Sequence, residues 1–311
     1  MRIAHRFFAL LVLAAMTISF RPAHAQAGSA AGAAADCCTP DALQKVAASV
    51  GFVDIVGVKL GMSPKEAIAA LKASSPSLRI QLYDTALIMP SKPNDSVRVP
   101  HYIVAHTSPP AKDGSAEAIA LEFTLPPSHP VVSRVYRWIQ FPSNGRVAAG
   151  NLVASMRKKY GTETSINSIY HNWVYSANGQ PITRPLSGAA QSCKDVGGTN
   201  DGSGFNVAPL TDGSVQNVYG QPITLLNTQN QPNDMTDTGP ACVDYVSVVG
   251  TIVVTNPGDP SDLAFKVSVA MQSAALVRGS RIATHEWLQS DLDRAVKQQK
   301  DAGAARKAPV F

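Results

Sequence analysis

Four short stretches rich in Val, Ile, Tyr, Phe and Trp follow one another in the first half of the chain, with no helical pattern between them. They cover residues 78–83, 97–106, 116–125 and 131–141, and Pro, Asp, Asn and Ser separate them. Apolar stretches bounded by turn-forming residues are typical of β-strands. Parallel neighbours would need long crossover connections, so the short links predict an antiparallel meander.

A capping box marks the helix that precedes this meander. Ser63 is followed by a proline, and Glu66 lies three residues after it, so each side chain can bond the backbone N–H of the other residue. Residues 53–60 alternate in the manner of a strand, and Gly61 turns the chain. The segment therefore predicts a strand, a tight turn and an amphipathic helix.

Three further helices are predicted from their ends. One covers residues 39–50 and begins at Thr39, with a proline in its first turn. A second runs over residues 146–160 and stops at Gly161, where glycine can take a left-handed conformation. The last is expected to begin at Thr284 as its cap.

The second half of the chain returns to strand patterns after a polar segment. Residues 170–175, 243–254 and 263–271 are predicted strands, and the last two are joined by a longer hairpin loop. We therefore expect an α+β fold with helices packed on antiparallel sheet, and an arrangement in two similar halves is left open. The expected division is a signal peptide 1–25, a flexible leader 26–38, an N-terminal half 39–142, a C-terminal half 143–300 with a polar insertion at about 177–240, and a frayed tail 301–311.

The first 25 residues are typical of an export signal. Arg2 and Arg6 supply the positive start, residues 7–20 are apolar, and Ala23-His24-Ala25 offers a small-x-small cleavage site. The apolar stretch is shorter than the ~20 residues that a span needs, which argues against the alternative of an uncleaved anchor. We expect a periplasmic or secreted protein with no transmembrane segment after cleavage.

The charge balance argues against nucleic acid as a partner. The chain carries 27 basic and 22 acidic side chains, and loss of the three arginines in residues 1–25 lowers the formal net charge from +5 to +2. No basic stripe with interleaved aromatics is present to follow a phosphate backbone.

The four cysteines fit an oxidising compartment. Cys193 and Cys242 flank the polar segment, and we predict that they form a structural disulfide. Cys37 and Cys38 are adjacent, which leaves open a vicinal bridge, two separate partners or an intermolecular bond. A Cys-Cys pair with no nearby histidine does not match a zinc pattern, so no metal and no cofactor are expected.

One short motif of the chain matches a known catalytic pattern in part. Ser155 and Lys158 match the Ser-x-x-Lys of penicillin-recognising enzymes, but the serine lies late in a predicted helix and no Lys-Thr-Gly follows. The remaining candidates are scattered histidines, for which half-exposed sheet, turn or helix-surface positions are the favoured interpretation: His101, His106, His129, His171 and His285.

Calcium is a further alternative. Residues 200–204 and 233–237 supply oxygen ligands in a segment free of cations. Neither stretch has the spacing of a twelve-residue calcium loop with a terminal glutamate, so solvated turns are the favoured interpretation.

One strand carries a row of side chains suited to an interface. Tyr136, Trp138 and Gln140 share one face of the strand predicted over 131–141, with Arg134 beside them, while Val135, Ile139 and Phe141 share the other face. Aromatic and arginine side chains are good interface anchors. These four residues are the predicted binding surface, unless the fold covers both faces of the sheet.

Residues 57–67, with the sequence Gly-Val-Lys-Leu-Gly-Met-Ser-Pro-Lys-Glu-Ala, resemble the strand-turn-helix opening of small envelope modules of Gram-negative bacteria. The outer-membrane assembly small lipoproteins and the beta-lactamase-inhibitor-like domains begin in this way. Residues 152–161, followed by Trp173-Val174-Tyr175 and Gly179, resemble a second helix-then-sheet half of such proteins. The resemblance implies non-enzymatic binding through sheet faces, although this chain has no lipobox, is longer and carries the polar insertion.

These observations favour an exported, non-catalytic binding or envelope assembly protein whose partner is another envelope protein. The alternatives are a secreted hydrolase with a dispersed active site and a calcium-dependent module. A cluster of Ser or His with an acid in a pocket would favour the hydrolase.

Overall fold

The computed structural model describes residues 39–107, 111–183, 207–209, 215–217 and 245–305. The expected signal peptide and leader, all four cysteines and both calcium candidates lie outside these ranges. The described helices are α1 (Pro40–Ser49), α2 (Pro64–Ser74), α3 (Ala149–Tyr160) and α4 (Ala274–Ala304). No helix in these ranges combines the length and the apolarity that crossing a membrane requires.

Eight strands form the main sheet, and all of its pairs are antiparallel. From one edge to the other they are β3 (Arg79–Met89), β4 (Lys92–His106), β5 (Ala116–Phe123), β6 (Val132–Gln140), β14 (Lys266–Ser273), β12 (Tyr245–Val253), β9 (Tyr170–Ser176) and β8 (Ser165–Asn167). The first four strands confirm the predicted meander. The sheet with its packed helices is the predicted α+β fold.

The sheet order is symmetric about its centre. Read inward from either edge, the strands follow chain order, and the last strand of each series, β6 and β14, meet in the middle. Helix α2 precedes the first series and helix α3 precedes the second. We call the pairing of β6 with β14 the seam.

Three small two-stranded sheets complete the described fold. They pair β1 (Asp54–Ile55) with β2 (Val58–Lys59), β7 (Val147–Ala148) with β13 (Leu263–Ala264), and β10 (Val207–Pro209) with β11 (Val215–Asn217). The polar insertion leaves the sheet after β9 and re-enters it at β12. These two strands are paired, and Tyr245 lies opposite Ser176.

The main core lies on one face of the sheet, which we call the helix face. Leu43 of α1, Leu71 of α2 and Met156 of α3 pack there with sheet residues such as Val135 and Trp173. The opposite face carries a smaller buried cluster formed by Val104, Ala118, Ala120, Tyr136 and Trp138. Each strand thus alternates between two buried sets of side chains, as the period of two requires.

The predicted helix caps at Thr39 and Ser63 are confirmed. The Thr39 hydroxyl accepts a hydrogen bond from the Ala42 amide at 3.2 Å. Ser63 and Glu66 form the reciprocal capping box. Gly161 ends α3 with a φ of 84°.

The prediction of one strand over residues 53–60 is wrong. The segment is a hairpin, because Val56 and Gly57 both take left-handed conformations, with φ of 49° and 79°, and reverse the chain. The Asp54 carboxylate accepts the Gly57 amide at 2.9 Å and holds the turn. Left-handed pairs of this kind close two-residue hairpins, and the alternating side chains of 53–60 conceal the reversal.

The predicted start of the last helix is also wrong. Ser273 caps helix α4, its hydroxyl accepting the Leu276 amide at 3.2 Å, and the helix runs for 31 residues from Ala274. Thr284 is a buried mid-helix residue, and its hydroxyl donates to the Ser280 carbonyl at 2.7 Å. A threonine can lie inside a helix when its hydroxyl donates to the carbonyl four residues earlier, so Thr284 does not have to act as a cap. Farther along, Leu288 packs on the β3–β4 hairpin.

Gly61 is required where the chain passes beneath α1. Its φ is 82°, its amide donates to the Val132 carbonyl at 2.9 Å, and a Cβ atom there would lie 2.0 Å from the Ala47 carbonyl oxygen. Gly114 has the same φ of 82°, but a Cβ atom there would have no neighbour within 4 Å. An alanine at Gly114 would therefore meet only the strain of a left-handed backbone, whereas an alanine at Gly61 would also clash with α1.

We expect Gly61→Ala to lower the free energy of unfolding by about 3 kcal/mol, because a left-handed alanine is strained and the α1 backbone must also move. The matched control Gly114→Ala carries the conformational cost alone, about 1 kcal/mol. Urea unfolding monitored by tryptophan fluorescence measures both. Equal losses in the two variants would contradict the close approach of α1.

Candidate functional site

The predicted binding surface lies on the opposite face of the sheet and is largely covered. Arg134, Tyr136 and Trp138 are 3%, 4% and 5% exposed, and Gln140 alone is exposed. Strand β10 of the polar insertion lies against β5 and β6, and the Lys266 ammonium sits 5.2 Å from the centre of the Trp138 ring. Both faces of the sheet are therefore buried here, and little of the row is accessible to a partner.

Arg134 belongs to a buried ionic cluster centred on Glu122. The Glu122 carboxylate lies 3.3 Å from Arg134 Nη1 and 3.5 Å from Arg281 Nη2, with His101 Nε2 at 3.9 Å. Glu122 and Arg134 face each other across β5 and β6, and Arg281 reaches them from α4. The cluster joins the last helix to the sheet and has the character of a structural element.

Burial keeps His101 neutral at physiological pH. Desolvation is the main cause that lowers the pKa of His101 to about 4, and the Arg281 guanidinium adds to it, while Glu122 acts in the opposite direction. The Nε2 atom of His101 has no hydrogen-bond partner among the described residues. A buried imidazole in this setting resists protonation.

An open cleft of about 360 Å³ lies on the helix face, between α3 and the turn of the β1–β2 hairpin. Strands β6 and β14 form its floor, so it straddles the seam. Its apolar lining consists of Ile55, Val56, Ile139, Phe141, Leu152, Met156, Val267 and Val269. We call it the α3 cleft.

The residues that line the α3 cleft follow the helical spacing of α3 and the strand alternation of β6. Leu152, Ser155, Met156 and Lys159 lie three or four residues apart, which places them on one side of α3. Along β6 the cleft-lining residues are two apart, so they share the helix face of the strand. The hairpin contributes Val56, a β-branched residue in a left-handed conformation that such residues rarely adopt.

The polar groups of the cleft gather where α3 ends. The Lys159 ammonium pairs with the Asp54 carboxylate at 2.9 Å, and the Tyr160 hydroxyl donates to the Asp54 carbonyl at 3.2 Å. On the floor, Arg137 Nε donates to the Glu117 carboxylate at 2.7 Å. These bonds tie the hairpin, α3 and the sheet together around the cleft.

The same contacts shift the pKa values of Asp54 and Tyr160. Burial would raise the pKa of Asp54, but the bonds from Lys159 and Gly57 outweigh it and hold that pKa below its ordinary value. Burial, reinforced by the Asp54 charge, raises the pKa of Tyr160 well above its usual range. The Tyr160 hydroxyl is therefore a neutral donor at physiological pH.

A second, more polar cavity of about 310 Å³ lies on the other side of α3. Beside it, the buried Glu163 carboxylate accepts Arg157 Nε with both oxygens at 3.0 Å and contacts His171 Nδ1 at 3.0 Å. Burial would raise the pKa of Glu163, but these bonds hold it below its ordinary value. Ser168 and Asp259 also line the cavity.

The weak catalytic candidate falls in the α3 cleft without a base. Ser155 is exposed in the cleft lining and makes no side-chain hydrogen bond to another described residue, and Lys158 is not part of the lining. Lys159, which sequence reasoning passed over, lines the cleft instead. The signal that could have found it is the helical spacing from Leu152, which places Lys159 seven residues along the same side.

The histidines are dispersed over the fold. His101 and His106 are buried in β4, His129 is exposed, and His285 lies in the middle of α4 and not in its first turn. Only His171 lines a cavity described above. No three His, Cys, Asp or Glu side chains among the described residues are grouped to hold a metal ion.

Comparisons of the chain with family models, with curated proteins and with solved structures find no match. The resemblance of residues 57–67 to envelope modules therefore stays a prediction. The α3 cleft and the polar cavity are two concave features of the described residues that could hold a ligand.

We expect acid to destabilise the protein through His101. The unfolded chain binds a proton at a pKa of 6.5 and the folded chain at about 4, so the unfolded state holds more protons between these values and stability falls as the pH drops through that window. The full effect is about 3 kcal/mol. His101→Gln should flatten this part of the curve of unfolding free energy against pH, measured by urea titration. Parallel curves for the two proteins would contradict this role.

Proposed function

We propose that the chain is an exported, non-catalytic binding protein of the bacterial envelope, and that the α3 cleft holds its ligand. The observation that carries this proposal is the cleft itself, an open and mostly apolar depression between a helix and a hairpin. Small-molecule sites are commonly concave, mostly apolar and already formed before binding, with few polar groups. Of the two roles considered, binding and assembly, this geometry favours binding.

The state of the polar groups supports a role without catalysis. Lys159 and Arg137 are engaged in ion pairs, and the hydroxyl of Tyr160 is held neutral and bonded to a carbonyl. Ser155 has no base within hydrogen-bonding distance among the described residues. A nucleophile needs such a base, or a lowered pKa, to react.

The envelope location rests on the N-terminal residues 1–25, which have the character of an export signal. An envelope protein that presents an apolar group remains the proposed partner class, alongside a small ligand held in the cleft. Detection of a shortened mature chain in the periplasmic fraction tests the location, and finding only the full-length chain in the cytosol would contradict it.

A filled cleft should no longer bind. Ser155→Phe places a ring in the lining, and we expect it to weaken binding of N-phenyl-1-naphthylamine, a neutral apolar fluorophore, by at least about tenfold. The matched control is Ala154→Phe, because Ala154 is exposed on the same helix and lines neither the cleft nor the polar cavity. Fluorescence titration gives both affinities.

Two results would count against the proposal. One is a wild-type protein that does not bind the fluorophore. The other is equal affinity in the Ser155→Phe and Ala154→Phe variants, since binding would then lie elsewhere. Thermal unfolding of both variants checks that each is folded.

The polar cavity favours a second candidate function, a hydrolase. Ionised Glu163 orients the His171 ring with Nδ1 as the donor, which leaves Nε2 as a base, and His171 lines the cavity. In an ester hydrolysis, Nε2 would take a proton from water as the oxygen attacks the carbonyl carbon, and would return it to the departing alcohol. The Nε–H of Arg157, which both carboxylate oxygens of Glu163 accept, gives the same cluster a structural role.

His171→Ala separates the two functions. If the cavity is catalytic, purified protein should hydrolyse p-nitrophenyl acetate, and the variant should lose at least about a hundredfold in rate, the usual contribution of general base catalysis. If the cluster is structural, wild type and variant will show the same background rate and differ only in melting temperature. That second result removes the hydrolase.

A further inference from the structure

We propose that the ligand of the α3 cleft is an amphiphile with an anionic head and an alkyl chain of medium length, and that Arg137 and Lys159 bind the head. This inference rests on the proposed function, because it assumes that the cleft is a binding site. It adds the chemical class of the ligand and the direction in which it lies.

The cleft has a charged end and an apolar end. The start of α3 lies near the end of β6, because the Ala149 amide donates to the Asp262 carbonyl and β14 then begins with Lys266 opposite Gln140. Farther along α3, Met156 lies against Gly250, which is linked through Val269 to Arg137 in the sheet. Leu152 and Phe141 therefore belong to one end, and Lys159 and Arg137 to the other. The positive charge of Arg137 acts on the Tyr160 hydroxyl, which supports its place beside the end of α3.

The distance between the ends sets the length of the ligand. Seven residues of helix separate Leu152 from Lys159, which is about 10 Å at 1.5 Å per residue. Four residues of strand separate Phe141 from Arg137, which is about 13 Å at about 3.3 Å per residue. A volume of about 360 Å³ over this length suits a single extended chain and one small head group.

The positive charge of the cleft lining favours a ligand with a negatively charged head group. Arg137 and Lys159 are the charged residues of the cleft lining, and both are cations, whereas their acidic partners, Glu117 and Asp54, lie outside the lining. The side chains of Arg137 and Lys159 are 31% and 43% exposed, so an incoming head group can reach them.

Both cations keep donors for an anion. Glu117 is bonded through Nε of Arg137, and the guanidinium carries further N–H groups in a planar fork that matches a carboxylate. The Lys159 ammonium has three donors, and one bond to Asp54 accounts for one of them. An anionic head can therefore bind without breaking either ion pair. A cationic head would be repelled, and a neutral head would gain no charge-assisted bond.

Three ligands of equal chain length test the inference by displacing N-phenyl-1-naphthylamine from the cleft. They are decanoate, decan-1-ol and decyltrimethylammonium. We expect decanoate to displace the fluorophore at a concentration about tenfold lower than decan-1-ol, with the cation weakest. Raising the salt concentration should reduce the advantage of decanoate and leave decan-1-ol unchanged.

Lys159→Gln should remove most of the preference for decanoate over decan-1-ol, measured as the ratio of their displacing concentrations within the same variant. The matched control is Lys158→Gln, because Lys158 is the neighbouring cation of α3 and lies outside the cleft lining. Arg137→Gln should act in the same direction as Lys159→Gln.

The outcomes separate this inference from the function on which it rests. Equal displacement by decanoate and decan-1-ol, a preference for the cation, or equal effects of the two lysine variants would overturn the anionic head and leave the cleft as a binding site. Absence of fluorophore binding, or its indifference to Ser155→Phe, would overturn the proposed function as well.

Discussion

The seam between β6 and β14 is the pairing on which the rest of the structure depends. Seven residue pairs, from Gln140 opposite Lys266 to Arg134 opposite Gln272, join two series of four antiparallel strands into one sheet. Residues that lie directly opposite each other on paired strands point to the same face of the sheet. The register of the seam therefore decides which residues of the two series share the helix face. A slip of one residue between these two strands would place Ile139 and Val267 on opposite faces of the sheet.

The α3 cleft follows from the seam. Its floor uses β6 from the first series and β14 from the second, and its walls are a hairpin from the first half of the chain and a helix from the second. Ion pairs cross this boundary, since Lys159 holds Asp54 at 2.9 Å. The candidate site therefore exists only when both series are joined. The Glu122 cluster likewise ties α4 to the sheet, through the buried Glu122 and Arg134 and the partly exposed Arg281.

Local signals in the sequence predicted most of the elements and little of the site. The capping box at Ser63, the stop at Gly161 and the meander depend on neighbouring residues, and all are confirmed. The row from Arg134 to Gln140 lies along β6, and its accessibility depends on the polar insertion, whose position no local pattern reveals. The cleft could not be predicted, because it requires knowing that β14 pairs with a strand more than a hundred residues earlier. Val56 conceals its turn, since valine is a poor choice for a left-handed position.

The polar insertion joins two strands that pair with each other, so the geometry of the sheet does not depend on the length of the insertion. Tyr245 lies opposite Ser176, so the chain leaves and re-enters the sheet at neighbouring positions whatever lies between. The entropy of closing such a connection grows only with the logarithm of its length. The segment can therefore be shortened, extended or exchanged while the eight strands and the α3 cleft keep their geometry. Such changes would alter the opposite face of the sheet and leave the helix face as it is.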